Sequence, residues 1–123
     1  MKSSSPDLLP EARKLIPLTP AVFFILLALA TEAKHGYAVM QEIEHLSGGE
    51  VRMGPATLYT TIQRLSDLNL VSEVTPPAGE DARRRYFEIS AQGRTLLELE
   101  VERMKSLLRR TNTLLTTAEG GRG

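Results

Sequence analysis

The sequence predicts a mainly α-helical fold with a small β-hairpin and one long C-terminal helix. Three observations carry that expectation. From Pro55 to Leu68 the apolar residues Leu58, Ile62, Leu65 and Leu68 recur at the helical period. Between Leu70 and Ile89, two short β-prone runs flank the turn-rich stretch Thr75 to Ala82, the pattern of a hairpin. Near the end, Leu97, Val101, Met104, Leu108, Thr111 and Leu115 are spaced four and three in alternation, as along a coiled-coil seam.

In chain order, Met1 to Pro6 is polar and Ser-rich and is expected to fray. Asp7 to Ile16 can form a short helix with Leu8, Leu9, Ala12, Leu15 and Ile16 on its apolar side. Pro10 is tolerated in its first turn, and Pro17 ends it. Thr19 is an N-cap and Pro20 a first helical residue for the next helix. Its body, Ala21 to Glu32, is apolar almost all round and therefore central to the core. His35-Gly36-Tyr37 reads as a break. Tyr37 to Leu46 is a short amphipathic helix turned inward through Val39, Met40, Ile43 and Leu46, and Ser47-Gly48-Gly49 ends it. Glu50 to Met53 has room for one short extended piece. Pro55 opens the next helix, and Asn69, which tolerates a left-handed backbone, stops it. Strands follow at Leu70 to Val74 and Arg83 to Ile89. Ser90 to Gly93 leads into a last helix from about Ala91 to Thr117, with a flexible end beyond it.

Two short helices, a tight turn and a following hairpin describe a winged helix-turn-helix. The expected organisation is an N-terminal arm (1–17), a winged helix-turn-helix domain (18–90), a dimerisation helix (91–117) and a tail (118–123). At 123 residues with 41% hydrophobic content, the chain has material for one packed domain. Fifteen basic and 15 acidic residues cancel, which argues against non-specific coating of nucleic acid but allows a local basic patch. Cys is absent, so disulfides and thiolate metal sites are excluded. The apolar run Pro20 to Ala30 is about half the roughly twenty residues that a membrane span requires. The chain thus reads as soluble and cytoplasmic, without a membrane partner.

Opposite the apolar stripe of the Pro55 helix lie Tyr59, Thr60, Gln63 and Asp67, with Thr57 and Arg64 at one edge. Hydroxyls, an amide and a phenol both donate and accept hydrogen bonds, as contact with base edges and phosphates requires. Arg83, Arg84 and Arg85 follow the hairpin loop. On an extended strand neighbours alternate faces, so at least one of them should reach solvent or phosphate. The plainer alternatives are a surface helix rich in Thr and Gln and a hairpin edge guarded by charge.

His35-Gly36-Tyr37, Gly54-Pro55-Ala56-Thr57-Leu58-Tyr59, Arg64-Leu65, Leu70-Val71 and the run Arg84 to Gly93 together resemble the PadR family of bacterial transcriptional regulators. The resemblance extends from about Leu18 to the end of the last helix. It implies a dimeric winged-helix repressor on an operator of dyad symmetry, released when a small-molecule effector occupies the dimer core. It also implies DNA contacts from Thr57, Tyr59, Thr60, Gln63 and Arg64, from the wing arginines Arg83, Arg84 and Arg85, and from Tyr37 near a phosphate. Members often carry Pro after the Leu-Tyr pair, where this chain has Thr60. Glu80-Asp81 makes the wing acidic, which would repel phosphate.

A helix of about 27 residues is roughly 40 Å long, more than a domain of this size can cover. Its outer half should therefore expose an apolar seam to a second copy. A homodimer through Leu97, Val101, Met104, Leu108 and Leu115 follows, with Leu8 and Leu15 packing alongside. Phe23, Phe24 and Met104 could line an effector pocket between protomers, although an apolar stripe is more often plain core. Trp is absent, so stacked indoles are not available to such a pocket. His35 and His45 are the only histidines and, ten residues apart, lie on different parts of the second short helix and its turn. No nucleophile triad, phosphate loop or metal-ligand cluster is present, so neither an enzyme nor a cofactor is expected. The competing function is a winged-helix module that binds protein rather than DNA.

Overall fold

The computed structural model describes residues 7–121, and side chains as far as Glu119. The expected frayed start (Met1 to Pro6) and the last two residues of the tail lie outside the described residues. The elements run α1 (Pro10–Arg13), α2 (Pro20–Ala28), β1 (Lys34–His35), α3 (Gly36–Leu46), α4 (Pro55–Asp67), β2 (Val71–Val74), β3 (Tyr86–Ile89) and α5 (Ala91–Gly121). This is a mostly helical winged-helix fold with a small antiparallel sheet and a long C-terminal helix.

The first two helices are shorter than their apolar patterns predict. α1 covers four residues, and the chain beyond it tightens through Leu15 N–H to Ala12 O (3.0 Å) and Ile16 N–H to Arg13 O (3.2 Å). Ile16 precedes Pro17 and is pushed out of helical backbone by the proline ring. α2 starts where expected, with the Thr19 hydroxyl accepting from Val22 N–H at 3.3 Å. It stops at Ala28 because charged side chains bind the carbonyls at its end. Lys34 Nζ donates to Ala28 O at 2.7 Å, and Arg94 of α5 donates to Ala30 O at 2.6 Å. Cations there complement the helix C-terminus.

α3 and α4 carry their inward faces on Val39, Ile43, Leu58, Ile62 and Leu65. Leu46, expected to face inward, is exposed. Left-handed Gly48 and Gly49 (φ 64° and 85°) end α3, and Glu50 to Met53 is irregular rather than a strand. α4 closes with Asn69 at φ 63°, Asn69 N–H on Ser66 O (3.0 Å) and Leu70 N–H on Leu65 O (2.9 Å). That is the paired bonding of a Schellman stop. It turns the chain directly into β2.

The sheet has three strands in the order β1-β3-β2, not the two of a lone hairpin. Val71 faces Ile89 and Val74 faces Tyr86 across β2 and β3. On the other side of β3, Lys34 pairs with Phe87 and His35 with Tyr86. His35, read as part of a break, therefore belongs to a two-residue strand that begins at Lys34, and Gly36 and Tyr37 open α3. Two residues are too few for a periodicity signal, and their partner is distant in sequence.

α5 springs from Ser90, whose hydroxyl accepts from Gly93 N–H (2.9 Å) and donates to Asn69 O (2.6 Å). It extends past Thr117 to Gly121. Its first turns complete the core through Leu96 and Leu97, together with Ile25, Leu26, Leu70 and Phe87. Leu97 and Leu8, expected at a dimer seam, are instead covered by their own chain (6% and 9% exposed). The first turns of α5 lie on α2 and Leu8 joins the same core, which leaves little of either leucine for a second copy.

Glu100 is the one buried acid among the described residues. It accepts from Leu18 N–H at 3.1 Å and from Arg103 at 2.7 and 3.0 Å, which pins the start of α2 to α5. The Arg103 hydrogen bonds, aided by the Leu18 N–H, hold its pKa below the ordinary carboxylate value despite burial. A depressed folded pKa gives stability that is complete above the unfolded pKa and lost as pH falls through the folded one. Glu100→Gln should therefore cost about 1.5–3 kcal/mol at neutral pH and flatten the acid limb of a melting-temperature profile. Parallel acid limbs for the two proteins would refute this role.

Candidate nucleic-acid interface

The outer face of α4 is laid out as its sequence pattern predicts. Thr57, Thr60, Gln63 and Arg64 are exposed. Thr61, one position off that face, returns its hydroxyl to Thr57 O at 2.8 Å. Gln63 is steadied by Asp67, with Nε2 to Oδ1 at 3.0 Å, so its amide is held in a defined direction. Ala56, Thr57, Thr60 and Thr61 frame a shallow depression, a surface of methyls and hydroxyls that a base edge could meet.

Tyr59 differs from the freely presented side chain that the pattern predicts. It is half-buried, its ring 6.0 Å from Phe87 and beneath the Arg85 guanidinium at 5.5 Å. Its hydroxyl sits where a Cβ on Gly36 would be, so glycine at that position lets α3 and α4 approach. Tyr59 thus packs α4 against α3 and the wing.

The wing arginines do not alternate along a strand, because β3 starts only at Tyr86 and the chain turns from Asp81 to Arg84, with Arg84 N–H on Asp81 O at 3.1 Å. Each has its own fate. Arg83 folds onto Asp81 (3.2 Å), whose carboxyl is held below its usual range by that hydrogen bond. Arg85 pairs with Glu73 at 2.9 and 3.2 Å across β2 and β3, and the Glu73 carboxyl is lowered for the same reason. Arg84 has no carboxylate partner among the described residues. Its side chain reaches His35 instead. The acids expected to repel phosphate are engaged internally, Asp81 by Arg83 and Glu80 as acceptor for the Tyr86 hydroxyl at 2.8 Å.

Two clefts flank the wing. One, about 560 Å³, lies between α4 and the wing and contains Gln63, Glu73 and Arg85. Its guanidinium is already neutralised, so it offers no seat for an anion. The other, about 430 Å³, is lined by His35, Gly36, Tyr37, Tyr59 and the three arginines. Tyr37 is 60% exposed, beside Arg84 at the start of α3, where a phosphate could be met. His35 caps α3, its Nδ1 accepting from Ala38 N–H at 3.2 Å. Burial, then the Arg84 charge, hold its imidazole pKa below the ordinary histidine value, with Glu80 opposing. Neither His35 nor Glu73 is legible as a site residue in the sequence, because each acquires its role from a strand pairing.

Phe23 and Phe24 meet edge to face at 5.2 Å on the partly buried side of α2. Beyond Met104 the α5 surface opens to solvent, and every residue from Leu107 to Glu119 is exposed.

Comparison with known proteins agrees with this fold. The model of the transcriptional regulator PadR-like family matches residues 25–99, more than half of the chain. The chain belongs to the PadR-like family. The family is described as one of transcriptional regulators. It is 40% identical over 87 residues to an uncharacterized 37.1 kDa protein in transposon TN4556 of Streptomyces fradiae. That match covers 71% of this chain but only 24% of the longer relative, so the chain spans about a quarter of it. A PadR family regulator from Clostridium difficile R20291 superposes with TM-score 0.65 at 18% identity, covering 79% of this chain and 99% of that one. BpsR of Bordetella bronchiseptica, described for regulation of its DNA binding by 6-hydroxynicotinic acid, gives TM-score 0.58 at 25% identity. There the coverage is 85% of this chain and 69% of BpsR. No described helix of this PadR-like chain is long and apolar enough to cross a membrane.

Proposed function

We propose that this chain is a cytoplasmic repressor that binds an operator of dyad symmetry as a homodimer and releases it when a small molecule binds. Residues 18–90 form the DNA-binding unit. Thr57, Thr60, Gln63 and Arg64 enter the major groove, while Arg84 and Tyr37 meet phosphates. The observation that carries this is the pairing of an exposed donor-and-acceptor face on α4 with a single wing arginine free of any carboxylate among the described residues. Tyr59, Arg83 and Arg85 act one step back, by fixing α4 and the wing turn. Val101, Met104, Leu108 and Leu115 of α5 join the copies, with Leu15 at the margin. The effector would sit near Phe23, Phe24 and Met104, where α2 faces α5. The regulated DNA binding of BpsR supports a ligand response in a chain of this shape.

The test is a gel shift on DNA flanking the gene, with a salt titration. Arg84→Ala should weaken binding to all sequences and lower the salt slope by about one. Gln63→Ala should relax preference at one base pair, at about 1–3 kcal/mol. If neither variant changes affinity or salt response, the reading surface lies elsewhere. Zero net charge favours a second reading, a module that binds protein. Binding that tolerates salt would select it, since phosphate contacts weaken steeply as salt rises.

A further inference from the structure

We propose that His35 and Arg84 together clamp one backbone phosphate of the bound duplex, with His35 acting as a neutral Nε2–H donor. This rests on the DNA-binding reading above and adds a residue to it. The argument begins with a count of lone pairs. A neutral imidazole has one N–H and one acceptor nitrogen, and a guanidinium has only donors. His35 is asked for its single lone pair twice, by Ala38 N–H at Nδ1 (3.2 Å) and by Arg84 Nη1 at Nε2. Both cannot be served. If Nδ1 accepts, Nε2 carries the proton and faces another donor. If Nε2 accepts, an Nδ1–H faces the Ala38 N–H, and the first turn of α3 loses its side-chain acceptor.

The ring has little freedom to evade the conflict. Tyr86 stands edge-on to it at 5.4 Å, and the Tyr37 ring lies parallel to it at 6.5 Å. An acceptor-only group resolves both demands at once. A phosphate oxygen placed at the mouth of the cleft takes the Nε2–H and the Arg84 N–H, and Nδ1 remains on the α3 cap. Arg84 is also the wing cation whose charge no carboxylate neutralises among the described residues, whereas Arg83 and Arg85 already hold acids of their own. The wing turn and the α3 cap are brought together by the β1–β3 pairing, His35 opposite Tyr86.

His35→Asn separates the two roles of the residue. Asn is a strong N-cap but has no donor where Nε2–H stands. Binding is measured on a random-sequence duplex at low salt, because a phosphate contact does not depend on sequence. The expected result is unchanged melting and about tenfold weaker binding, the weight of one hydrogen bond to a charged acceptor. The salt slope should stay as in the unmodified protein for His35→Asn and fall by about one for Arg84→Ala. The double variant should bind little worse than Arg84→Ala, because both side chains serve one phosphate. Nitrogen NMR of the unmodified protein supplies a second measurement, independent of how any variant folds. It should show the Nε2–H tautomer, with that proton shifted on duplex addition but not by inorganic phosphate at the same phosphate concentration. An Nδ1–H tautomer, or a His35→Asn protein that melts and binds as the unmodified one does, overturns the clamp alone. Failure of the unmodified protein to bind any duplex at low salt overturns the DNA-binding reading as well.

Discussion

Gly93→Ala should destabilise the protein by about 3 kcal/mol or more, the upper end of what an overpacked core costs. The new Cβ would overlap Leu70 O and stand 2.8 Å from Ile89 Cγ1 and 3.1 Å from the Leu70 carbonyl carbon. Two of those neighbours are backbone. Leu70 O already accepts from Ser90 N–H at 3.0 Å, so moving it breaks the joint between the end of α4 and the start of α5. Alanine's better helix propensity returns only about 1 kcal/mol. Against a total stability of about 5–15 kcal/mol, the loss should lower the urea midpoint visibly. A midpoint equal to that of the unmodified protein would show that the joint yields freely.

The second large effect concerns assembly. Leu108→Glu combined with Leu115→Glu should turn the proposed dimer into a monomer and weaken operator binding by about 10²–10⁴-fold, because the second half-site would no longer be held at high effective concentration. Leu108 and Leu115 are 60% and 59% exposed, and Leu107 and Leu114 beside them are 46% and 70% exposed. Such a stripe lies along a helix of 31 residues, about 46 Å long at 1.5 Å per residue, and no surface among the described residues of its own chain covers it. Exposed positions cost the folded domain little, within about 0.5 kcal/mol. Melting should therefore hold while sedimentation changes. An unmodified protein that sediments as a monomer at micromolar concentration, or a double variant that remains dimeric, would end this account.

The local features were legible because each depends on neighbours in sequence. Thr19 and Pro20 start α2, Pro55 and Asn69 bracket α4, and the periodic leucines of α4 all face the core, by rules that operate over three or four residues. The outer face of α4 could be read for the same reason. What could not be read depends on contacts across the chain. Lys34 and Arg94 decide where α2 ends, β3 converts His35 from a break into a strand residue and helix cap, and α2 covers Leu97 and thereby removes it from the seam.

The wing shows the division most clearly. A polar-faced helix, an Arg-rich wing and a long apolar-seamed tail could be read directly, because composition and periodicity are properties of a linear string. Which of three consecutive arginines keeps its charge available is fixed only in the folded chain. Arg83 and Arg85 each have a carboxylate within reach and Arg84 has an imidazole, and Coulomb attraction acts on distance in space, not along the chain.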